Sequence, residues 1–196
     1  MLKYDGTVDY YLMESDYTKK ADGTASDVAN DSYNGNAMME WGRYGRKIWY
    51  KIVPDDGDDT SASIYIADYR ADGDFEAWSF INNQGKYVDH FYTPIYNGWY
   101  DETRLRSISG KTPTASQDVA TERSRCQANN SSLDIWDMEV YSDNLLIQML
   151  LILVSKSLNS QSSFGQGNTD SYSIIATGTM NTKGLFWGSS GTTSDS

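Results

Sequence analysis

The chain has 196 residues and a formal net charge of −11, with 16 Lys and Arg against 27 Asp and Glu. Its basic residues are scattered, which excludes nucleic acid and an anionic membrane as expected partners, because neutralising phosphates takes clustered cations. Fifteen tyrosines and six tryptophans stand beside one histidine, His90, and one cysteine, Cys126, a composition better suited to recognition than to nucleophilic or metal chemistry.

In chain order, residues 2–4 and 7–12 predict two short strands joined by Asp5-Gly6, a pair that tolerates positive φ. A polar stretch follows, with a short helix expected near residues 25–30. Strand character resumes at 37–41 and, after a turn through Gly42 and Gly45, at 47–53. There Ile48, Tyr50 and Ile52 share one face, expected in the core, and Lys47, Trp49 and Lys51 share the other. The acidic tip 55–59 leads to a strand at 61–67 with Ala62, Ile64 and Ile66 on one face and Tyr65 opposite. Residues 75–81 and 86–92 predict a further hairpin around Asn82-Asn83-Gln84-Gly85.

Residues 109–132 turn polar and read as a surface excursion, a candidate sub-boundary with a turn of helix near 117–125. The alternation at 135–140 predicts a short strand. A main helix is expected over about 142–158, capped by Ser142, with Asp143 in its first turn and Lys156 in its last. Its apolar run, 145–154 interrupted only by Gln148, implies burial on several sides and is too short to span a bilayer, which takes about 20 residues. Strands are expected at 172–176 and 184–187, and 188–196 reads as a flexible Gly/Ser/Thr tail. The expected class is α+β, antiparallel hairpins packed on one main helix, in a single domain over 1–187. One cysteine cannot close an internal disulfide, so stability must come from the core or from oligomerisation.

The chemical signals are sparse. His90 has no second histidine with which to share a metal or complete a relay, and reads as structural or surface. The acidic tip 55–59 could offer hard oxygen ligands to calcium or simply be a solvated turn, so metal binding there is open. The run from Asp68 to Gly73 fails as a calcium loop, because Arg70 occupies a ligand position and Ser79 stands where a bidentate Glu is needed. Glu40, Asp89 and Glu139 are acids near aromatics, the weak basis for a hydrolase alternative. Gly165-Gln166-Gly167 is too short for a dinucleotide fingerprint. No catalytic residue and no cofactor are expected. The sharper candidates are Tyr92, Tyr96, Trp99 and Tyr100, in a Pro/Gly-interrupted segment that either presents stacking surfaces to a ligand or plugs the core beneath it.

Several stretches resemble a known group. The runs 2–12, 16–27 and 33–39, then Asp89-His90-Phe91-Tyr92, 105–110, 136–167 and Gly184-Leu185-Phe186-Trp187-Gly188 are similar to tail-associated structural and adhesion proteins of gut bacteriophages and prophages. The resemblance covers nearly the whole chain. It implies a C-type-lectin-like fold, akin to the formylglycine-generating enzyme and to variable proteins of diversity-generating retroelements. The enzyme relatives oxidise with a cysteine pair, and with Cys126 alone that activity does not carry over. What the resemblance implies is a virion protein, extracellular when it functions, binding host-surface glycan or protein or neighbouring subunits.

The family is expected to extend upstream of residue 1 and beyond residue 196, so this chain would be a truncated form lacking the usual ligand-bearing half. Uncovered apolar surface then predicts a homo-oligomer. A small carbohydrate hydrolase using Asp or Glu and an assembly-only structural protein are the alternatives.

Overall fold

The computed structural model describes residues 1–164, 174–178 and 181–182. The chain is α+β. Its strands are β1 (Leu2–Lys3), β2 (Leu12–Met13), β3 (Asp16–Lys20), β4 (Gly35–Asn36), β5 (Met38–Trp41), β6 (Trp49–Asp55), β7 (Asp58–Ala67), β8 (Phe91–Pro94), β9 (Trp99–Tyr100) and β10 (Leu105–Arg106). Among the described residues the helices that follow are α1 (Val119–Gln127), α2 (Tyr141–Ser155) and α3 (Ser160–Phe164). The strands pair two by two, β1 with β4, β2 with β3, β5 with β8, β6 with β7 and β9 with β10. The chain divides into two compact units, the first of Met1–Met38, Pro94–Glu139 and Gln148–Ser196, the second of Met39–Thr93 and Val140–Ile147. The excursion 109–132 lies wholly within the first.

In the first unit the Asp5-Gly6 turn forms, with Gly6 at φ 83° and the Lys3 N–H donating to the Thr7 carbonyl at 2.9 Å. The Asp5 carboxylate accepts both the N–H and the hydroxyl of Thr7, and Asp16 with Thr18 and Asp22 with Thr24 repeat the device. The helix expected near 25–30 is absent. Ser26, Asp27 and Asn30 spend their side chains on nearby groups, Asn30 Nδ2 donating to Asp27 Oδ1 and Ser26 Oγ accepting from the Val28 N–H, which holds a turn instead. Met1, Val28, Ala37 and Tyr96 form one apolar core cluster, flanked by Tyr10, Leu12, Tyr33 and Ile95.

Arg106 is buried there too, because its planar fork satisfies the carbonyls of Asp31, Tyr33 and Gly35 at 2.7, 2.6 and 2.9 Å. α1 begins at the cap Asp118, whose side chain accepts from the Thr121 N–H at 2.9 Å. Residues 135–140 are not a strand. Successive turn bonds from Leu133 and Ile135 curl the backbone, and only Trp136 goes inside, donating from Nε1 to the Tyr4 carbonyl at 2.8 Å.

The second unit is built on the β6/β7 hairpin, which pairs Tyr50 with Ile66, Ile52 with Ile64 and Pro54 with Ala62. Opposed residues share a face, so the alternation read from sequence is realised. Its depth is not. Tyr50 is 3% exposed, while Ile52 and Ile64 are 45% and 46% exposed, because the hairpin extends past the core toward its acidic tip. The core is Phe75, Ala77, Phe80, Tyr50 and Leu146, with Phe80 edge-on to Phe91 at 5.0 Å and Trp41 stacked on Phe91 at 6.1 Å. The hairpin turn at 82–85 forms, but its first arm contains a 3-10 turn at Trp78–Phe80.

α2 starts one residue earlier than its expected cap. The Asp143 carboxylate accepts from the Val140 N–H at 3.3 Å, so Asp143 reaches back to the residue before the helix rather than merely facing its dipole. Lys156 falls outside the helix in the left-handed region, φ 53°, its N–H donating to the Ile152 carbonyl at 2.8 Å. Burial on several sides does not occur. Leu146 and Met149, three residues apart, are buried, whereas Ile152, Leu153 and Val154 are exposed. Among the described residues no helix is long and apolar enough to cross a membrane. Of the strand expected at 172–176, residues 174–176 carry no strand; the rest of it, the strand at 184–187 and the tail 188–196 lie outside the described residues.

Candidate functional site

Beside β6 the second unit opens a groove of about 590 Å³, lined chiefly by Tyr50, Ile52, Val53, Trp78, Tyr141 and Leu145, with Asp74 at its rim. That volume falls in the range of roughly 300 to 1,000 Å³ typical of ligand pockets. The strand supplies one wall through its exposed half. Trp78 supplies another because the 3-10 turn advances three residues per turn. Ser79 and Phe80 go inward, and Trp78 is left 52% exposed. The first turn of α2 brings Tyr141, 80% exposed, and is tied down by Ser79 Oγ donating to the Ser142 carbonyl at 2.9 Å.

The polar groups around the groove are largely committed. Lys51 Nζ meets Asp72 at 2.9 Å, and its ammonium lies 5.1 Å from the Phe75 ring centroid. The hydrogen bond to Asp72 holds Lys51 above its ordinary pKa and Asp72 below its own. Burial pushes the Asp143 carboxyl up, opposed by its bond from Val140. The Tyr50 hydroxyl is pushed up to about 12, first by burial and then by the nearby charge of Asp143. An apolar recess with aromatic walls and an acidic rim can stack on and desolvate a ligand.

The four aromatics singled out in the sequence are divided between the two units. Tyr92 belongs to the second unit, half-buried and edge-on to the exposed His90 at 5.4 Å. Tyr96, Trp99 and Tyr100 belong to the first. Tyr96 is a core residue, 6% exposed, its hydroxyl donating to Asn181 Oδ1 at 2.5 Å. Trp99 and Tyr100 are half-buried, Trp99 under the Lys111 ammonium at 4.6 Å and Tyr100 under the Arg125 guanidinium at 3.8 Å. Cations already occupy those two faces.

Among the described residues no group of three or more His, Cys, Asp and Glu could hold a metal ion. At the acidic tip Asp55 accepts from the hydroxyls of Ser61 and Ser63 at 2.7 and 3.1 Å. Asp89 pairs with Lys47 at 2.8 Å. Cys126 is in the first unit, its Sγ–H donating to the Asp137 carbonyl at 3.0 Å.

The sequence does not single out Trp78 and Tyr141, which line the groove. In a strand, Trp78 and Phe80 would share a face and be buried together, and only the 3-10 turn separates them. Tyr141 sits just ahead of Ser142 and Asp143, where the polar helix start is the available signal of an outward-facing position. Comparison of the chain with family models, with curated proteins and with solved structures gives no match.

Proposed function

We propose that the chain is a non-enzymatic binding module of a bacteriophage tail, on a C-type-lectin-like plan, acting in the virion outside the host. Its contact surface is the groove beneath Trp78 and Tyr141, through which it meets host-surface glycan or protein or a neighbouring virion subunit. The observation that carries this reading is the pair of large aromatics standing exposed over an apolar recess. Burying such rings is the dominant source of affinity in many interfaces. The surplus of Tyr and Trp and the resemblance to tail-associated adhesion proteins support it. The exposed Ile152, Leu153, Val154 and Leu158 support a homo-oligomer, which light scattering would test.

The test compares the full chain with a Trp78→Ala/Tyr141→Ala double variant on a glycan array and on immobilised envelope fractions of gut bacteria. Binding should fall by roughly tenfold or more in the double variant while its circular dichroism is unchanged. Equal binding would remove the groove from the reading. Oligosaccharide turnover abolished by one carboxylate substitution would replace the reading with the hydrolase alternative.

A further inference from the structure

The backbone of β6 adds something that side chains alone do not. The Tyr50 N–H donates to the Glu76 carbonyl and the Glu76 N–H to the Tyr50 carbonyl, both at 3.0 Å, so Tyr50 points its main chain away from β7. In an antiparallel ladder main-chain direction alternates, and β6 runs in unbroken register with β7 from Trp49 to Pro54. Ile52 and Pro54 therefore also face away from β7. A proline is tolerated at 54 for this reason, since its missing N–H costs the hairpin nothing.

The rung at Ile52 should have been filled by Asp74, two residues back from Glu76. It is not, because a turn at 72–75 peels the chain away, with the Phe75 N–H donating to the Asp72 carbonyl at 3.3 Å and the Asp74 N–H to Asp72 Oδ1 at 2.9 Å. Ile52 thus keeps an N–H and a carbonyl directed outward, and Pro54 a carbonyl, along the stretch that lines the groove.

We propose that this open edge takes an extended, cationic peptide segment of a partner protein, which adds to β6 as a strand at Ile52. The inference rests on the groove being the contact surface, and it names the partner class. Main-chain groups at a strand edge recognise another main chain, with alternate side chains entering flanking pockets. Here the pocket is the recess between Trp78 and Tyr141. The charge follows from the surroundings. Asp74, Asp55 and Asp56 are exposed along the rim and tip, the Lys51 ammonium is already neutralised by Asp72, and the chain as a whole carries −11. A basic residue on the incoming strand meets Asp74, and at this edge, unlike the apolar surface at Ile152 to Leu158, a second copy of this acidic chain is disfavoured.

The test pans a random dodecapeptide library against the full chain and measures the enriched peptides on three variants. Ile52→Pro removes the outward N–H while leaving every hairpin bond, Asp74→Lys reverses the rim charge without touching the backbone, and Trp78→Ala/Tyr141→Ala empties the recess. Enriched peptides should carry Lys or Arg and an apolar residue at alternate spacing. They should bind roughly five- to tenfold more weakly to Ile52→Pro and to Asp74→Lys, with melting curves matching the parent. Peptides without basic residues, or peptides that bind Ile52→Pro and Asp74→Lys as tightly as they bind the parent, would overturn the inference. Glycan binding lost in the aromatic double variant, with no peptide enriched, would overturn strand addition and leave the groove as contact surface. Concentration-dependent dimers abolished by Ile52→Pro would assign the edge to a second copy and likewise overturn it. No ligand of either kind, with the double variant behaving as the parent, would sink both readings.

Discussion

Asn36 donates from Nδ2 to Asn129 Oδ1 at 3.0 Å, inside the first unit, across 93 residues of sequence. Each amide is used further. Asn36 Oδ1 accepts from the Ser107 N–H at 3.0 Å, and Asn129 Nδ2 donates to the carbonyls of Leu105 and Cys126, both at 2.8 Å. Such a network stitches β4, β10 and the end of α1 without apolar packing, and its worth lies mostly in what is stranded when one member goes. Asn129→Ala should cost about 2–4 kcal/mol of stability, because it orphans the buried Asn36 amide and the Leu105 carbonyl, whereas the Cys126 carbonyl keeps the Asn129 N–H at 3.1 Å. Urea denaturation measures this; a cost under about 1 kcal/mol would mean water replaces the side chain.

Of the second unit's glycines, Gly42 is the one closely surrounded by other atoms. Its φ is 82°, and a Cβ there would come within 2.3 Å of Phe80 Cε1 and 2.7 Å of the Asp89 carbonyl. Phe80 is fully buried and cannot yield. Gly42→Ala should destabilise by about 2–4 kcal/mol, combining left-handed strain with overpacking. Amide hydrogen exchange should show the loss in residues of the second unit, and uniform protection equal to the parent would refute the clash.

Alkaline pH should weaken the fold through its tyrosines. The Tyr10 hydroxyl donates to Asp27 Oδ2 at 3.0 Å and accepts from the Asp27 N–H at 2.7 Å. Burial above all pushes its pKa from 10.0 to about 12, and Tyr50 is raised to about 12 likewise. Tyr33 is also raised, by burial and by its bond to Asp9. In each case the folded state favours the protonated form and the unfolded state loses its proton first. The contribution is therefore fully present below pH 10 and lost as pH rises toward 12. Tyrosinate absorbance should show several hydroxyls titrating late in the native chain. All fifteen titrating together near the ordinary value would contradict this.

Cys126 should be inert while the first unit is folded. Burial first, then the charge of Asp137, pushes the thiol up to about 11, and only the thiolate is nucleophilic. A thiol-reactive dye at neutral pH should label it slowly in the native chain and rapidly in denaturant. Native labelling as fast as that of free cysteine would count against the placement.

The pairing of β6 with β7 is legible in the alternation of Ile48, Tyr50 and Ile52 against Ala62, Ile64 and Ile66, since period two assigns a residue to a face. How far along that face burial extends is not, because the core stops near Tyr50 and no local signal marks where. The candidate site was legible in kind, as aromatic, but not in place. Tyr96 and Trp78 look alike in sequence, each near a turn and among aromatics. One is held inside by Met1, Val28 and Ala37, and the other is carried out by a single 3-10 turn.

By itself the sequence determined what acts over a few residues. The Asp5-Gly6 turn and the Asp-to-Thr turns close through side chains two positions away, the Asp118 cap starts α1, and strand alternation sorts faces. Only the tertiary structure decided which apolar residues are covered and which main-chain groups remain open. Those depend on what the distant chain brings alongside. Glu76 fills the rung at Tyr50 and a turn withdraws the chain before Ile52, so one apolar strand is core at one end and open edge at the other.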